Sequence, residues 1–192
     1  MRPSCIFELQ NKMENLSNQL IFNNQQIEKI LFRLAAQIFE LANFNPNLKI
    51  LAIQPRGLLI AGAILEILKT KFNLDLPLGT IDPSFHRDDL NKANRLIIPS
   101  ESSVPFEVEN QPILLIDDVI YTGRTTRAAM EALLEIGRPK WIKLLVLINR
   151  YLEREIPISV DFEGFRLDSG PGEVVRVRSN NEQKIEVRIS HG

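Results

Sequence analysis

The sequence predicts an α/β protein built on a doubly wound, mainly parallel sheet flanked by helices, with a small β region at the C-terminus. Four short, nearly all-apolar runs indicate the sheet, at residues 49–54, 76–82, 113–117 and 141–148, because strands covered on both faces carry few polar side chains. Segments of helical length separate the first run from the second and the third from the fourth, an alternation typical of doubly wound sheets. Such sheets bind ligands at the carboxyl ends of their strands.

Composition places the chain among soluble globular proteins. It has 192 residues, of which 44% are hydrophobic, a formal net charge of −1 and a single cysteine, Cys5. One cysteine cannot form an intrachain disulfide, which favours a reducing compartment. The N-terminus lacks the apolar core of a signal peptide, and no run approaches the roughly 18 apolar residues of a membrane span. We therefore expect a cytoplasmic protein that makes no membrane contact.

The first half of the chain contains two helices and two strands after a polar extension. Residues 1–20 are rich in Asn and Gln, and we interpret them as an N-terminal extension to a single domain at 21–192. From Asn23 to Ile38 apolar residues recur at three- and four-residue spacing, which predicts a helix that the NPN at 45–47 ends. The run KILAIQ predicts the first strand, GLLIAGAILEILKTKF the second helix and LPLGTID the second strand.

The second half begins with a long segment of mixed charge, residues 83–111, which has no clear period. A stretch of that length in a compact domain is usually functional or mobile. After the strand ILLID, the segment RTTRAAMEALLEIG predicts a helix that ends at Gly137 and turns Leu133 and Ile136 toward the sheet. The run WIKLLVLI is the fourth strand. Three shorter β candidates follow Pro157, around VDFEG, EVVRVR and KIEVRI.

The chemistry is concentrated in residues 113–133, which read ILLIDDVIYTGRTTRAAMEAL. A turn that leads into a helix offers free backbone N–H groups and the positive end of the helix dipole, and so it can bind phosphate. Gly123 allows close backbone approach and a positive φ, and Arg124 adds a guanidinium. Hydroxyl groups come from Thr122, Thr125 and Thr126. The turn is not a P-loop, because no GK[ST] follows a Gly-rich run.

The adjacent carboxylates of Asp117 and Asp118 would repel a phosphate, so they need a different ligand group. They can accept hydrogen bonds from the 2′- and 3′-hydroxyls of a ribose, or hold Mg²⁺ directly or through water. The acid pair and the turn together predict a site for a 5-phosphorylated ribose. The alternative is an acidic strand end followed by a threonine helix cap, with no ligand.

The block ILLIDDVIYTGRTTRAA closely resembles the 5-phosphoribosyl 1-pyrophosphate (PRPP) motif of type I phosphoribosyltransferases. With AIQPRG, TIDPSFHRDDL, IGRP and EIPISVDFEG in the same order, the chain resembles more narrowly the bifunctional pyrimidine-operon regulators/uracil phosphoribosyltransferases, from about Asn23 to at least Gly164. The resemblance implies that the domain at 21–192 transfers the 5-phosphoribosyl group of PRPP to a nucleobase, with uracil as the default, and releases pyrophosphate. It also implies Mg²⁺ as cofactor and a homodimer or larger homo-oligomer.

The resemblance assigns roles within the motif. Asp117 and Asp118 take the ribose hydroxyls and hold Mg²⁺, directly or through water. The 5′-phosphate loop is formed by Thr122, Gly123, Arg124 and Thr125. In the family, positioning and charge stabilisation of the departing pyrophosphate carry the catalysis.

Two further segments are implied to hold pyrophosphate. QPRG matches the family's pyrophosphate loop, in which a cis peptide bond turns backbone groups toward the ligand, so we predict that Gln54–Pro55 is cis. Arg56 would compensate for the N–H that Pro55 lacks. FHRDDL matches the mobile segment that closes over PRPP, in which Arg87 is the catalytic contact to pyrophosphate. His86 stands where relatives commonly have tyrosine, and we assign it no chemistry.

The base is implied to lie against the segment after the fourth strand. EIPISVDFEG matches the base-facing segment, so groups at Val160 and Asp161 are expected to contact the pyrimidine. The family reads VLVDRGHRELPI where this chain reads VLINRYLEREIPI. Asn149 replaces an aspartate there, Gly-His is lost and one residue is inserted. Because an amide offers a donor as well as acceptors, Asn149 is a candidate base-binding residue, and a different oxo-base is an alternative to uracil.

Two other functions stay open. One is an RNA-binding attenuation regulator with weak or no catalysis, which needs clustered cations. The first helix has only Lys29 and Arg33 set against Glu28 and Glu40, so RNA is not the favoured partner. A positive surface could still be formed by Arg138, Lys140, Lys143, Arg150 and Arg154. The other function is an adenine or hypoxanthine enzyme, which follows from the superfamily match alone.

Overall fold

The computed structural model describes residues 19–86, 102–168, 170, 172–179 and 184–191. The helices are α1 (Asn24–Phe44), α2 (Arg56–Phe72) and α3 (Arg124–Ile136), with a short 3₁₀ helix at Ser84–His86. The strands are β1 (Gln19–Phe22), β2 (Lys49–Ile53), β3 (Leu78–Ile81), β4 (Pro112–Ile120), β5 (Trp141–Asn149), β6 (Phe162–Arg166), β7 (Glu173–Ser179) and β8 (Ile185–His191). No helix in the described part of the chain is long and apolar enough to cross a membrane.

The chain divides into two compact units, Met1–Lys29 with Ser169–Gly192, and Ile30–Asp168. In the larger unit five parallel strands form one sheet in the order β3-β2-β4-β5-β6. The chain moves from β2 outward to β3 and then returns to the other side of β2 for β4. The connections therefore diverge between β2 and β4, which is where ligands bind in such sheets. The predicted doubly wound α/β fold is confirmed.

The two faces of this sheet are covered by different helices. Leu115 and Val146 share a buried core with Ala129 and Leu133 of α3. On the other face α2 comes so close to β4 that a Cβ added to Gly57 would overlap the carbonyl oxygen of Ile116. The absence of a side chain at Gly57 therefore sets the distance between the start of α2 and the middle of β4.

Strand β4 and helix α3 differ from the prediction in two details. The strand does not end at the acid pair but continues through Val119 to Ile120, which lies opposite Asn149 of β5. The two aspartates are therefore buried strand residues, whose polarity interrupted the apolar run on which the prediction depended. In α3, Leu133 faces the core as predicted, whereas Ile136 is 49% exposed, because it lies in the last turn of the helix.

The ends of the long segment after β3 are joined at its base. Thr80 and Ser103 form an antiparallel bridge in which each backbone N–H donates to the other residue's carbonyl, at 2.7 and 3.0 Å. The backbone N–H of Asp82 donates to Ser102 Oγ at 3.0 Å. Residues 87–101 lie outside the described part of the chain.

The smaller unit contains an antiparallel sheet in the order β1-β8-β7. The three predicted C-terminal strands all form, but β6 joins the parallel sheet and only β7 and β8 belong here. Strand β1 begins at Gln19, within the segment 1–20 that was predicted as an extension. The boundary between an extension and a domain at 21–192 stays a prediction.

Candidate functional site

The turn between β4 and α3 has the geometry of an anion site. Gly123 precedes the first residue of α3 with φ +92° and offers no side-chain cap. The N–H of Arg124 donates to Thr122 Oγ1 at a long 3.4 Å, and the start of the helix otherwise presents backbone donors that suit an anion. A cavity of about 320 Å³ opens at this turn. It is lined by Val119, Ile120, Tyr121, Thr122, Gly123, Arg124, Thr125, Thr126 and Glu155.

The segment after β5 braces this turn through backbone and side chain. The Thr122 carbonyl accepts hydrogen bonds from the N–H groups of Glu155 and Ile156, at 3.0 and 3.1 Å. Arg124 donates from Nε and Nη2 to Oε2 of Glu155, at 2.8 and 2.6 Å. Sequence reasoning missed Glu155 as a site residue, although it is the first residue of the EIPISVDFEG segment.

The acid pair lies three residues before the turn, and its two carboxyl groups have different surroundings. Asp117 is 5% exposed and accepts a hydrogen bond from the N–H of Asp118 at 2.8 Å. Asp118 is 7% exposed, and its Oδ2 is buried with no hydrogen-bond partner among the described residues. A buried carboxylate oxygen without a donor is costly unless a ligand satisfies it.

Burial dominates the titration of both acids. It raises the pKa of Asp117 well above its usual range, and the neighbouring Asp118 carboxylate raises it further. Burial also raises the pKa of Asp118, against the lowering effect of the Arg56 guanidinium. A hydroxyl donor or a cation would lower the cost of keeping these groups ionised.

The turn after β2 comes to the same place. The Gln54–Pro55 peptide bond is cis, as predicted. Arg56 begins α2, and its Nη1 lies 4.0 Å from Asp118 Oδ2 while more than half of its side chain is exposed. The structure therefore brings the predicted pyrophosphate residues, Pro55 and Arg56, beside the acid pair.

Arg87, predicted as a catalytic contact, lies outside the described residues. The preceding residue, His86, is held by α3: its carbonyl accepts a hydrogen bond from Arg127 Nη2 at 3.2 Å, and its Nε2 lies 3.5 Å from a carboxylate oxygen of Glu135. The side chain of His86 therefore faces a glutamate of α3. No chemical role was predicted for His86 from the sequence.

Asn149 lies at the carboxyl end of β5, opposite Ile120 and 5% exposed. Its Nδ2 donates to Glu163 Oε2 at 2.6 Å, and its Oδ1 accepts from Arg154 Nη2 at 2.7 Å. Arg154 and Glu163 were not predicted as site residues. The pattern that could have indicated Glu163 is a charged residue inside a short strand motif, VDFEG.

The structure does not bring Val160 and Asp161 to this edge. Asp161 contacts the middle of β5: its Oδ2 accepts from the N–H of Leu144 at 2.9 Å, and its Oδ1 lies 2.8 Å from Lys143 Nζ. Val160 packs against the sheet core. Leu144 precedes Asn149 by five residues, about 16 Å along a strand, and it precedes Val146, the β5 partner of Asp117, by two. Asp161 is therefore held beside the middle of β5, away from Asn149 at the carboxyl end of the strand.

Comparison with known proteins identifies the family. A model described as a phosphoribosyl transferase domain matches residues 17–181. Proteins named Bifunctional protein PyrR are similar over most of the chain. The one from Deinococcus radiodurans is 38% identical over 82% of this chain and 86% of its own length, and the one from Caldicellulosiruptor saccharolyticus is 39% identical over 82% and 86%. The chain belongs to the phosphoribosyltransferase family, in its PyrR-like group.

Solved phosphoribosyltransferases share the fold at much lower identity. A hypoxanthine-guanine phosphoribosyltransferase from Bacillus anthracis aligns with a TM-score of 0.62 at 16% identity, over 81% of this chain and 86% of that one. The hypoxanthine phosphoribosyltransferase of Trypanosoma cruzi aligns with a TM-score of 0.65 at 14% identity, over 90% and 97%. These likenesses concern the fold of the phosphoribosyltransferase domain.

In this phosphoribosyltransferase several basic side chains named as a positive surface are turned inward or paired. Arg150 is 6% exposed and stacks on the ring of Tyr121, 4.0 Å from its centroid. Lys143 pairs with Asp161, and Arg154 with Asn149. In α1, Arg33 donates to the backbone carbonyls of β6 residues. The exposed members are Arg138 and Lys140.

Proposed function

We propose that the protein transfers the 5-phosphoribosyl group of PRPP to an oxo-nucleobase, with uracil as the first candidate, and releases pyrophosphate. One observation carries the proposal: Asp118 Oδ2 is buried, has no hydrogen-bond partner among the described residues and lies 4.0 Å from Arg56 at the start of α2, in the strand that leads into the turn at Gly123. A ribose hydroxyl would satisfy the carboxylate, while a 5′-phosphate occupies the turn and the Arg56 end receives pyrophosphate.

The proposed reaction needs positioning more than covalent help. The turn would hold the 5′-phosphate through the first N–H groups of α3 and the hydroxyls of Thr122 and Thr125, and the acid pair would hold the ribose. A sugar fixed at both ends presents its anomeric carbon in one orientation to the base, which is the main source of rate enhancement in such a reaction. Arg56 would stabilise the charge on the departing pyrophosphate, and its position 4.0 Å from Asp118 supports that role.

Mg²⁺ fits this donor set. The described residues contain no group of three or more His, Cys, Asp or Glu side chains arranged for a metal, but Mg²⁺ commonly binds through one or two carboxylates together with substrate phosphates and water. Asp117 and Asp118 would supply those carboxylates, directly or through water. When bound, the ion would neutralise charge on the pyrophosphate.

Support for uracil comes from the relatives named PyrR, whose 35–39% identity extends over most of the chain. The solved neighbours named for hypoxanthine and guanine match at 14–18% identity, and they support only the fold. Uracil and hypoxanthine share a ring carbonyl beside a ring N–H, so both belong to the proposed substrate class. An assembly of two or more copies stays a prediction.

The alternative, an RNA-binding regulator without efficient catalysis, has less support. Its proposed cationic surface would lose Arg150, Arg154 and Lys143 to burial or to pairing within the chain. Two neighbouring exposed cations, Arg138 and Lys140, neutralise few phosphates, and affinity for RNA rises with the number neutralised.

A turnover panel tests the proposal. The purified protein is incubated with PRPP, Mg²⁺ and, separately, uracil, orotate, hypoxanthine, guanine or adenine, and nucleoside monophosphate and pyrophosphate are quantified. Turnover with an oxo-base, greatest with uracil, is expected. The matched control is an Asp118→Asn preparation purified identically, which reveals any contaminating host enzyme. Failure with every base would overturn the proposed activity, and salt-sensitive, sequence-selective binding of pyrimidine-operon leader RNA without turnover would favour the regulator.

A further inference from the structure

Three polar side chains form a connected chain at the carboxyl end of β5. Glu163 of β6 accepts from Asn149 Nδ2, and Asn149 Oδ1 accepts from Arg154 Nη2. This arrangement fixes the orientation of the amide, because its NH₂ must face the carboxylate and its oxygen must face the guanidinium. Glu163 is itself held by Arg166, whose Nη2 lies 3.0 Å from Oε1. The position and direction of the Arg154 head group are thereby determined.

Arg154 connects these hydrogen-bonded side chains with the turn that leads from β4 into the start of α3, residues 121–125, which we call the phosphate turn. Its Cδ lies 3.5 Å from the place where a Cβ of Gly123 would stand, so the stem of the side chain passes over the turn. Its head group ends at Asn149. The Nη1 atom is buried and makes no hydrogen bond with the described residues. Gly123, which the stem of Arg154 crosses, lines the cavity. Because Nη2 is already bonded and Nη1 is not, Nη1 is a donor available to an acceptor oxygen of a ligand.

We propose that Arg154 is a specificity-determining residue that donates from Nη1 to a ring carbonyl oxygen of the nucleobase, and that Asn149 and Glu163 position it. The inference rests on the proposed function and names its substrate class. Bases whose ring edge facing Nη1 carries a carbonyl oxygen, such as uracil, hypoxanthine and guanine, present an acceptor to the guanidinium. Adenine presents an amino group there, so two donors would face each other.

A carbonyl of the base is a better partner for Nη1 than the 5′-phosphate. The phosphate turn has its own donors in the first N–H groups of α3 and the hydroxyls of Thr122 and Thr125. Arg154 Nη2 is bonded to Asn149, which draws the head group toward the end of β5 and away from the start of α3. Asn149 thereby connects the Glu163 carboxylate to the Arg154 guanidinium through its amide.

Binding calorimetry without turnover tests the role of Arg154. Wild type and Arg154→Lys are titrated with ribose 5-phosphate, uridine 5′-monophosphate, inosine 5′-monophosphate and adenosine 5′-monophosphate. Wild type is expected to bind uridine 5′-monophosphate and inosine 5′-monophosphate at least tenfold more tightly than ribose 5-phosphate. Lysine lacks the planar fork in which Nη2 bonds Asn149 while Nη1 points to the base, so the variant should lose most of this preference while its affinity for ribose 5-phosphate stays within twofold. Arg138→Lys, at an exposed position, is the matched control.

Two outcomes would overturn the inference alone. An equal loss of affinity for ribose 5-phosphate and nucleotide would assign Arg154 to the phosphate or to the fold, and no loss for either would remove it from the site. If wild type binds none of these ligands, the proposed function fails as well. The two failures are therefore distinguishable from the wild-type titration.

A double-substitution series tests the positioning residues. Asn149→Asp places a carboxylate against Glu163 and should reduce the nucleotide preference fivefold or more. Adding Glu163→Gln removes the repulsion and leaves one carboxylate, that of the new aspartate, among the three connected side chains at positions 149, 154 and 163. The double variant should therefore recover at least half of the nucleotide preference on a logarithmic scale. A double variant no better than Asn149→Asp would overturn the positioning role.

Discussion

Arg124 of the phosphate turn and Glu155 of the segment after β5 form a two-donor ion pair at the rim of the cavity, with Nε and Nη2 of the arginine both on Oε2 of the glutamate. The carboxylate therefore occupies the guanidinium that would otherwise be the nearest cation to an incoming phosphate. Glu155 also lines the cavity itself. The turn thus offers backbone donors in a nearly neutral setting, with the charge of its arginine offset before any ligand arrives.

Replacing Glu155 by Gln should strengthen phosphate binding. Glutamine keeps an acceptor for Arg124 but removes one negative charge from the cavity wall. The pair is partly exposed, 37% and 50% for the two side chains, so the gain should be modest, up to about 1 kcal/mol or fivefold. The KM for PRPP should fall two- to fivefold and become more sensitive to salt. Steady-state kinetics at two ionic strengths measure both effects.

The control for this substitution is Glu131→Gln, which alters another glutamate paired with an arginine of α3, Arg127, but one that does not line the cavity. Its KM for PRPP should stay within the error of wild type. A rise in KM for Glu155→Gln, rather than a fall, would show that the geometry of the Arg124 pair matters more than its charge.

Asp118→Asn should reduce kcat/KM by two orders of magnitude or more while the protein stays folded. An uncharged amide offers one weaker acceptor, and a hydroxyl bonded to it loses the gain of a charge-assisted hydrogen bond. Because Asp118 Oδ2 makes no hydrogen bond with the described residues and burial raises the pKa of Asp118, we expect the fold not to depend on its charge. Thermal unfolding measured alongside the kinetics would contradict this role if stability, rather than turnover, fell.

Asp117→Asn should stabilise the protein at neutral pH. The folded-state pKa of Asp117 is raised by burial and by Asp118, so the folded state binds a proton more tightly than the unfolded state. Wild-type stability must then fall as pH rises from the unfolded value near about 4 toward the raised folded value. Asparagine at position 117 does not titrate, so the variant avoids this loss of stability, and its side-chain oxygen can still accept a hydrogen bond from the N–H of Asp118.

Urea unfolding between pH 4 and pH 8, with EDTA to exclude metal, measures the effect. The variant should exceed wild type by about 1 kcal/mol or more at pH 7, since a difference of one in pKa corresponds to about 1.4 kcal/mol. The two curves should approach each other toward pH 4. A variant that is less stable at every pH would mean that the carboxylate of Asp117 contributes favourable contacts that outweigh its burial.

The sheet and the phosphate turn could be predicted from the sequence because both depend on local signals. Apolar runs marked the strands, and the order of Asp117, Gly123 and the threonines marked a strand, a turn and a helix N-terminus. The end of β4 was placed three residues too early, since buried aspartates are rare in strand interiors and interrupt a hydrophobicity pattern. Their burial follows from the neighbouring strands and helices, which no local window contains.

Contacts between distant segments could not be predicted in this way. The pairing of Asn149 with Glu163 and Arg154 depends on the register of β6 beside β5 and on the path of the inserted residue after β5. The same register places Asp161 beside Leu144, in the middle of β5. A residue's position relative to a motif predicts its chemistry well when the intervening chain is regular, and poorly across an irregular connection.

A pair of alanine substitutions in α2 tests how closely that helix must approach the acid pair. Gly57 and Gly62 are both in α2, but a Cβ at Gly57 would overlap the carbonyl oxygen of Ile116, whereas nothing lies within 4 Å of a Cβ at Gly62. Gly62→Ala should stabilise the protein by about 0.5–1 kcal/mol, the ordinary gain of alanine over glycine in a helix. Gly57→Ala has the same intrinsic gain but must move α2 away from β4.

That displacement should lower the free energy of unfolding by about 1–3 kcal/mol. It should also lower the activity. Moving the start of α2 separates Arg56 from Asp118, and an error of about 1 Å in such a site can cost about a hundredfold in rate. We therefore expect kcat/KM for PRPP to fall about tenfold to a hundredfold in Gly57→Ala at a temperature where both variants are fully folded, and to be unchanged in Gly62→Ala. Equal activity of the two variants would show that the site tolerates this shift, and that the close contact between α2 and β4 serves packing alone.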